Sequence, residues 1–326
     1  MSAIGGFLPL EIAPDGERCH PSAAALASGR ACWNAIVRAC RPSRVYVPFY
    51  VCDAVLQPLA ASGTIYTFYS IGDSFRPEET PEPAAGELLL IVNYFGVMTS
   101  FIDTVVEQYP GRVVVDDTQA FFRIGRPDGW SFNSARKFFG VPDGGFLYGP
   151  MAGGDGLPPS DIADCEHLVA RLEGDDSRAW NQFKRHEARV GIEPRAISRI
   201  SARLLGAVDM PRVRRIRRAN FDALHRRLGA LNTIGVALDD LVDEVPMCYP
   251  FLPAADVDRT ELSRLGVFVP TFCPEIEERP ADGFERERLL AHRLLPLPID
   301  QRYGVEDMDR LCEVLLQVLP WSRCAS

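Results

Sequence analysis

The segment RVVVDDTQAFFRIGRPDGWSFNSARKFFGVPDGG, residues 112–145, carries the features that decide the fold. It begins with an apolar run that ends at Asp116 and Asp117, which is typical of a buried strand with a polar carboxyl end. It ends with Lys137 and a pair of glycines. Only two of the 35 basic residues in the chain are lysines, Lys137 and Lys184. Because arginine cannot be deprotonated in a protein, Lys137 is a candidate amine nucleophile.

Strand-like and helical segments alternate on both sides of this segment. Apolar runs typical of short buried strands occur at 44–49, 64–69, 88–95, 112–117 and 144–150. Apolar residues at helical spacing predict helices over 22–40 and 99–111. This alternation predicts a mostly parallel sheet with helices on both faces.

The C-terminal part of the chain predicts a second, smaller α/β unit. A loop rich in glycine and proline is predicted at 151–161, and the chain is helical and charged from about 161 to 229. A long helix is predicted between Pro211, near its start, and Gly229, at its end. Further predictions are strands at 245–253 and 266–270 and helices at 257–266 and 305–319. We therefore predict a large domain over residues 1–205 and a small domain over 206–326.

Composition and charge exclude several classes of protein. The chain has 326 residues, of which 47% are hydrophobic and 24% are charged, as in ordinary globular proteins. The net charge of −9 argues against a nucleic-acid partner, so the arginines of 212–218 are interpreted as a solvated helix face. No apolar run approaches the roughly 20 residues that span a bilayer, and no signal peptide is predicted.

The cysteines and histidines show no metal-binding pattern. The nine cysteines are scattered and form no CxxC pair, which favours reduced thiols and a cytoplasmic location. No metal site is predicted because the histidines lie apart in sequence: His20, His167, His186, His225 and His292. The common phosphate-loop, zinc-protease and hydrolase motifs are also absent from the sequence.

The residues around Lys137 include chemical groups that together could bind one particular cofactor. The carboxyl ends of parallel strands form the ligand crevice of such sheets, and a lysine there can form a Schiff base with an aldehyde. A buried Asp116 is costly unless it faces a cation, such as a protonated pyridine nitrogen. Ser131, Ser134 and the backbone amides where the helix near Gly29 begins can hold a phosphate. Pyridoxal 5'-phosphate combines these three groups.

Over nearly its whole length the chain resembles the DegT/DnrJ/EryC1/StrS family of fold type I pyridoxal-phosphate enzymes, which are mostly sugar aminotransferases. The matching segments are SGRACWNAIVRA, RVYVPFYVCDAVLQPLAASGTIYTFYSIG, VVVDDTQAFF, SFNSARKFFGVPDGG, RRIRRANFDALHRRL and LLPLPIDQRYGVEDMDRLCEVL. The resemblance implies the fold type I architecture, a large mostly parallel sheet domain with a small C-terminal α/β domain. It also implies that Lys137 binds the cofactor covalently, Asp116 faces the pyridine nitrogen, Gln119 lies near the ring hydroxyl and Gly29 lies at the phosphate.

Three departures from the family pattern concern the cofactor site. The family places its Ser-Phe serine five residues before the lysine, whereas Ser131 lies six before it, so either Ser131 or Ser134 is a phosphate candidate. Arg30 follows Gly29 where the family has threonine, and it is a candidate contact to phosphate or substrate. In the family an aromatic residue often stacks on the cofactor ring. Cys52 occupies that position in this chain, and Tyr50 lies two residues before it, so both are candidates for the contact to the ring.

A fourth departure concerns the neighbouring subunit. The family's Asn-Tyr-Arg segment, whose asparagine reaches the partner's cofactor, corresponds here to Glu193, Pro194 and Arg195. A carboxylate beside a phosphate is unfavourable, so Ser198 is a candidate for the displaced role. The resemblance implies a homodimer whose sites contain residues of both chains.

The predicted function is transfer of an amino group from an amino acid, by resemblance glutamate, to a nucleotide-linked keto-sugar. Two alternatives are another reaction on the same cofactor, such as sugar dehydration, and a non-catalytic protein that keeps the fold. The dehydratase relatives replace the lysine with histidine, which disfavours the first alternative because Lys137 is present. Retention of both Lys137 and Asp116 disfavours the second alternative.

Overall fold

The computed structural model describes residues 10–12, 19–150, 156–161, 164–236, 238, 241 and 244–319. The first half of the predicted loop at 151–161 therefore lies outside the described residues, as does most of the N-terminal stretch that was interpreted as lacking a signal peptide. None of the helices in the described part of the chain is long and apolar enough to cross a membrane.

A seven-stranded sheet forms the centre of the molecule. In chain order its strands are β1 (Ala24–Leu26), β2 (Arg44–Pro48), β3 (Ile65–Tyr69), β4 (Glu87–Val92), β5 (Val113–Asp117), β6 (Trp130–Asn133) and β7 (Gly145–Tyr148). Across the sheet they follow the order β1-β7-β6-β5-β4-β2-β3. The neighbours from β3 to β6 are parallel, whereas β7 is antiparallel to β6 and β1. The predicted mostly parallel sheet is confirmed.

Three helices connect the first strands of the sheet. They are α1 (Gly29–Cys40), α2 (Asp53–Ser62) and α3 (Thr99–Gln108). Helix α1 begins at Gly29 because the Ser28 Oγ accepts a hydrogen bond from the backbone N–H of Ala31. It buries Trp33 against Phe132 of β6, with ring centroids 6.0 Å apart. The helix predicted from residue 22 was therefore too long, because β1 pairs with β7 before α1 begins.

In the described part of the chain, four α-helices lie between the large sheet and the C-terminal elements. They are α4 (Glu166–Leu172), α5 (Asp176–Arg189), α6 (Arg199–Gly206) and α7 (Met210–Leu228). Helix α7 confirms the long helix predicted between Pro211 and Gly229, and the Asp209 carboxylate caps it by accepting from the N–H of Arg212. Its inward face buries Val213, Phe221 and Leu224.

The C-terminal elements form a small two-stranded sheet with three helices. They are β8 (Tyr249–Phe251), α8 (Arg259–Arg264), α9 (Glu285–Arg293), β9 (Leu295–Leu297) and α10 (Val305–Val318). Strand β8 pairs antiparallel with β9. The strand predicted at 266–270 was wrong, since Phe268 is 75% exposed there and the apolar Leu295–Leu297 segment supplies the buried partner of β8.

A large apolar cluster contains residues from both parts of the chain. It contains Trp33 and Phe49 from the region of the large sheet and Phe221 and Leu315 from the C-terminal elements. The buried Arg217 of α7 donates to the carbonyl of Phe138, next to Lys137, at 3.3 Å. The C-terminal part therefore supports the lysine loop, and the domain boundary at 205/206 stays a prediction.

Candidate active site

Asp116 lies at the buried carboxyl end of β5, near the centre of the sheet. Only 4% of the residue is exposed, and its Oδ1 accepts a hydrogen bond of 2.9 Å from the backbone N–H of Thr118. Burial raises the pKa of Asp116, and the positive charge of Lys137 acts in the opposite direction. A further cation at this carboxylate would lower the pKa again, because an opposite charge favours the ionised form.

Lys137 lies at the end of a 3₁₀ turn, Ala135–Lys137, that follows β6. Its Nζ donates a hydrogen bond of 3.1 Å to the Thr118 Oγ1. The lysine is exposed and lines a cavity of about 960 Å³. Thr118 therefore contacts both predicted catalytic residues, Asp116 through its backbone and Lys137 through its hydroxyl. Sequence reasoning did not single out Thr118.

The N-terminus of α1 packs directly against this pair. A Cβ placed on Gly29 would lie 3.1 Å from the Thr118 Cγ2, so a larger residue there would displace the threonine. A Cβ on Gly145 would lie 2.7 Å from the carbonyl carbon of Ser28, which explains the second glycine of the Gly-Gly pair. The backbone N–H groups and the dipole at the start of this helix suit a phosphate.

The two candidate serines lie on opposite faces of the sheet. In the register of β5 and β6, Asp116 pairs with Phe132, so Ser131 faces away from Asp116. The Ser131 hydroxyl is buried without a hydrogen-bond partner among the described residues and lines a separate cavity of about 230 Å³. Ser134 directly follows β6 and has an extended backbone. Because side chains alternate along a strand, Ser134 lies on the same face as Phe132, which is the face covered by α1. This placement favours Ser134 over Ser131 as the phosphate residue.

Two arginines place positive charge beside the start of α1. Arg30 forms an ion pair with Glu187 at 3.5 Å and donates to the carbonyl of Val190 at 2.7 Å. Arg136 contacts the same Glu187 carboxylate. Burial, with the nearby Arg30, lowers the pKa of Arg136 to about 10. Two guanidinium groups thus share one carboxylate, which leaves a net positive charge suited to an anion.

Gln119 supports the turn that follows β4. Its Oε1 accepts a hydrogen bond of 2.9 Å from the backbone N–H of Phe95. Phe95 has a φ of +57°, a left-handed conformation that needs such support in a residue other than glycine. With the oxygen engaged, the Nε2 end of Gln119 is the donor available to a ring hydroxyl.

Tyr50 and Cys52 differ in their surroundings. The Tyr50 ring is buried against Phe75 and Tyr94, with centroids 6.5 Å and 5.6 Å away, so it packs as a core residue. Its hydroxyl is buried without a partner among the described residues. Cys52 is half-buried, and its thiol forms a hydrogen bond with the Cys273 thiol. The positive charge of Lys137 also acts on the Cys52 thiol. Cys273 belongs to the C-terminal part of the chain, and no local sequence pattern indicates this contact.

The Cys52 thiol is expected to be the most reactive thiol near the site. The hydrogen bond from Cys273 lowers the pKa of Cys52 to about 6, and it raises that of Cys273. Since the thiolate is the nucleophile, iodoacetamide labelling of Cys52 should increase as pH rises through about 6 and level off above it. Peptide mapping after brief labelling across pH 5–9 measures this.

Two comparisons control the thiol experiment. Cys40 is also half-buried, but burial raises its pKa, so it should label only at higher pH. Cys273→Ala should move the midpoint for Cys52 toward about 8.5, the value for an ordinary thiol. A Cys52 profile that already has that midpoint in the unaltered protein contradicts the prediction.

The predicted partner-subunit residues lie in three different settings. Glu193 is exposed and forms an ion pair of 2.7 Å with Arg38. Arg195 contacts the 159–161 loop, pairing with Asp161 at 3.3 Å. Ser198 is buried, and its hydroxyl donates to the Asp143 Oδ1 at 2.7 Å while it caps α6. Ser198 therefore stabilises its own chain, and this geometry disfavours the role that we had predicted for it in a neighbouring site.

Asp117 lies on the opposite face of β5 from Asp116. It pairs with Arg123 at 2.8 Å and accepts a hydrogen bond of 3.0 Å from Asn93 Nδ2. Burial raises the pKa of Asp117 to about 6, and Arg123 opposes that shift. The two adjacent aspartates thus belong to different surroundings, and only Asp116 lies with Lys137 and α1.

Comparisons with known proteins establish the fold. No family model and no curated protein matches the sequence. Among solved structures, the sugar aminotransferase CalS13 from Micromonospora echinospora is 15% identical with a TM-score of 0.63, and the match covers 90% of this chain and 87% of that one. DesV from S. venezuelae, solved with a ketimine intermediate, is 17% identical with a TM-score of 0.62 and coverage of 91% and 85%.

A third solved structure agrees with these two. The pyridoxal-phosphate form of Spr1654 from Streptococcus pneumoniae, described as a sugar aminotransferase, is 14% identical with a TM-score of 0.63 and coverage of 92% and 88%. The chain therefore has the fold of the sugar aminotransferases of the DegT/DnrJ/EryC1/StrS type, over nearly its whole length. The predicted fold class, fold type I, is confirmed.

Proposed function

We propose that this chain is a pyridoxal-phosphate-dependent aminotransferase that acts on a sugar. One observation carries the proposal: an exposed lysine amine, a buried carboxylate and a helix N-terminus meet around Thr118. The fold of known sugar aminotransferases supports the same conclusion, but the convergence at Thr118 belongs to this chain's own residues.

The residues fit the three parts of the cofactor. Asp116 is a buried carboxylate whose raised pKa shows that a cationic partner would stabilise its charge. The start of α1 at Gly29, with Ser134 and Arg136 nearby, suits the phosphate. Lys137 supplies an amine that opens to the cavity for covalent attachment. When bound there, pyridoxal 5'-phosphate supplies an electron sink for a substrate carbanion.

The chain's own residues supply the acid–base chemistry and the positioning. With the cofactor bound, the Lys137 amine would take a proton from the α-carbon of the amino donor and deliver it to the cofactor carbon that carries the transferred nitrogen. The Asp116 carboxylate would hold a proton on the pyridine nitrogen by its negative charge. Thr118 fixes the relative positions of Lys137 and Asp116 by contacting both. We propose glutamate as the amino donor.

The cavity beside Lys137 has the size and charge for a large anionic acceptor. It measures about 960 Å³, and its lining includes Arg136, Arg171 and Arg302. Arg302 pairs with Asp300, which also lines the cavity, and Arg171 pairs with Asp176. Basic side chains still outnumber carboxylates in the lining, which favours an acceptor that carries phosphate groups, such as a nucleotide-linked keto-sugar. The known structure of DesI was determined with its TDP-sugar product, which supports this class of acceptor.

We also propose a homodimer in the cytoplasm. Two-fold dimers are the commonest oligomers, and the exposed Glu193–Arg195 segment is accessible to a neighbouring chain. The structure contains one chain, so the contribution of this segment to a partner's site stays a prediction.

A half-reaction tests the function. The purified protein is loaded with pyridoxal 5'-phosphate and mixed with single amino acids, and the cofactor spectrum is followed together with release of the 2-oxo acid. We expect glutamate to convert the cofactor to its amine form, and an added nucleotide-linked keto-sugar to restore it with gain of an amino group by mass spectrometry. Cofactor binding without any response to amino donors would contradict the proposal, and loss of a sugar hydroxyl instead would favour dehydration.

A further inference from the structure

A cluster of three metal-ligating side chains lies where α4 and α5 pack against each other. Asp164 precedes α4, His167 lies in its first turn, and His186 lies near the end of α5. The ligand atoms of these three residues all lie within 4.8 Å of one another. The sequence analysis predicted no metal site because the histidines are distant in sequence, but the helix pair brings two of them together.

The hydrogen bond of His186 fixes which ring nitrogen carries a lone pair. Its Nε2 lies 2.6 Å from the carbonyl oxygen of Pro142, which can only accept, so Nε2 carries the proton. In the neutral ring, Nδ1 then has a lone pair, and it lies 3.4 Å from the Asp164 Oδ1. Two acceptors thus face each other in a site where His186 is only 2% exposed. This arrangement needs a cation or a proton between them.

His167 completes the site. Its Nδ1 is buried without a hydrogen-bond partner among the described residues, and its ring lies 4.5 Å from that of His186. Only 6% of His167 is exposed, so this unpartnered nitrogen lies in the buried cluster with His186. A neutral imidazole is the form that binds metal ions.

We propose that Asp164, His167 and His186 bind a zinc ion that joins α4 to α5. Two imidazole nitrogens and one carboxylate oxygen form a common zinc ligand set, with room for a fourth ligand. The bond from His186 Nε2–H to the Pro142 carbonyl is the second contact that ligating histidines usually make. Zinc bonds of about 2.0–2.2 Å place tetrahedral ligands roughly 3.4 Å apart, which is the distance found between the His186 Nδ1 and the Asp164 Oδ1.

Two arginines near the site lower its expected affinity for zinc, but they leave one oxygen of Asp164 free to bind the ion. Arg189 bonds the Asp164 Oδ2 at 2.5 Å, and the other carboxylate oxygen, Oδ1, remains directed at His186. The positive charge of Arg136 also lies near His167, and it opposes binding of a dication. Zinc here would fix Pro142, five residues after Lys137, to α5, and His167 lines the same cavity as Lys137. The zinc proposal does not require the proposed aminotransferase activity, because it rests on the three side chains alone.

Zinc titration of the metal-stripped, full-length protein tests the site. We expect one zinc per chain by calorimetry and a rise in melting temperature with zinc. His167→Gln and Asp164→Asn should each weaken binding by at least about 10–100-fold, the loss that follows even when a second contact of a ligand is removed. The matched control is His292→Gln, because His292 is 62% exposed and lies outside the cluster, and it should bind zinc normally.

Cobalt distinguishes this site from the cysteines. Cobalt(II) bound by nitrogen and oxygen ligands gives weak visible bands without the intense thiolate charge-transfer band. Unchanged zinc affinity in both variants, absence of binding, or a thiolate band that persists in them would each overturn the proposal. If His186→Gln does not fold because that residue is buried, His167→Gln and the partly exposed Asp164→Asn still decide the question. Each readout is binding, so failure of transamination does not affect it.

Discussion

Lys137→Ala is expected to abolish both covalent attachment of pyridoxal 5'-phosphate and transamination. The alanine has no amine to join the cofactor aldehyde or to move the proton at the donor carbon. Loss of a general acid–base group alone typically lowers the rate by about 10²–10⁴-fold, so turnover should fall by at least that factor. Borohydride reduction of the loaded protein followed by peptide mapping measures the attachment, and the half-reaction with glutamate measures the rate.

The composition of the chain makes this experiment unusually selective. Lys184 is the only other lysine, and it lies exposed on α5 with its Nζ 5.8 Å from the centre of the Trp180 ring. Lys184→Ala is therefore the matched control, with one amine removed and both attachment and turnover retained. Lys137→Arg adds a second comparison, since it keeps the positive charge near Thr118 but cannot form the bond. A reduced cofactor on the peptide of Lys184, or turnover in Lys137→Ala, would refute the assignment.

Local sequence patterns predicted five of the seven strands of the large sheet, whereas β1 and β6 were not predicted as strands. Strand β5 is an unbroken apolar run that ends at Asp116, and buried parallel strands have that appearance. The carboxyl ends of such strands meet at one edge, which is why Asp116 and Lys137 were expected together. The contact of both with Thr118 confirms that they converge. Their roles toward the cofactor stay predictions.

The remaining features depend on contacts that no local pattern contains. Because Ser131 lies six residues before Lys137, where the family has five, the sequence could not decide between Ser131 and Ser134 as the phosphate residue. The register of β5 and β6 decides it, since side chains alternate along a strand and the two serines lie on opposite faces of the sheet. Three residues, 24–26, were assigned to a helix because their pairing partner, β7, lies more than a hundred residues away. The contacts of Cys52 with Cys273 and of His167 with His186 arise in the same way from distant segments.

Asp116→Asn is expected to leave the protein folded and to remove most of its transamination. The amide keeps an oxygen that accepts from the Thr118 N–H, but it has no charge to hold a proton on the pyridine nitrogen. Loss of one preorganised electrostatic partner typically costs about 10²–10³-fold in rate, and we expect a loss of that size in the half-reaction. Covalent attachment at Lys137 should persist, so the protein should still bind the cofactor.

Asp116→Asn should not lower the melting temperature of the cofactor-free protein, although it lowers the rate of transamination. Burial raises the pKa of Asp116 above its ordinary 3.8, so the ionised side chain destabilises the cofactor-free fold at neutral pH. The Asn variant lacks that charge and should melt at an equal or higher temperature than the unaltered protein at pH 7. As pH falls through the raised pKa toward 3.8, Asp116 becomes protonated in the fold, and the difference between the two proteins should disappear.

Asp117→Asn is the control for Asp116→Asn. It distinguishes the loss of a charge that acts on the cofactor from the loss of a buried charge that affects only stability. Asp117→Asn removes one side of the buried pair with Arg123, which keeps only its contact to Asp103 at 2.6 Å. Here, unlike at Asp116, the substitution leaves part of a largely buried guanidinium charge unbalanced, so we expect Asp117→Asn to melt at a lower temperature than the unaltered protein. It should keep its response to glutamate wherever it is folded, because Asp117 faces away from Lys137. Near-normal turnover in Asp116→Asn, with loss of turnover in folded Asp117→Asn, would assign the pyridine partner to Asp117 instead.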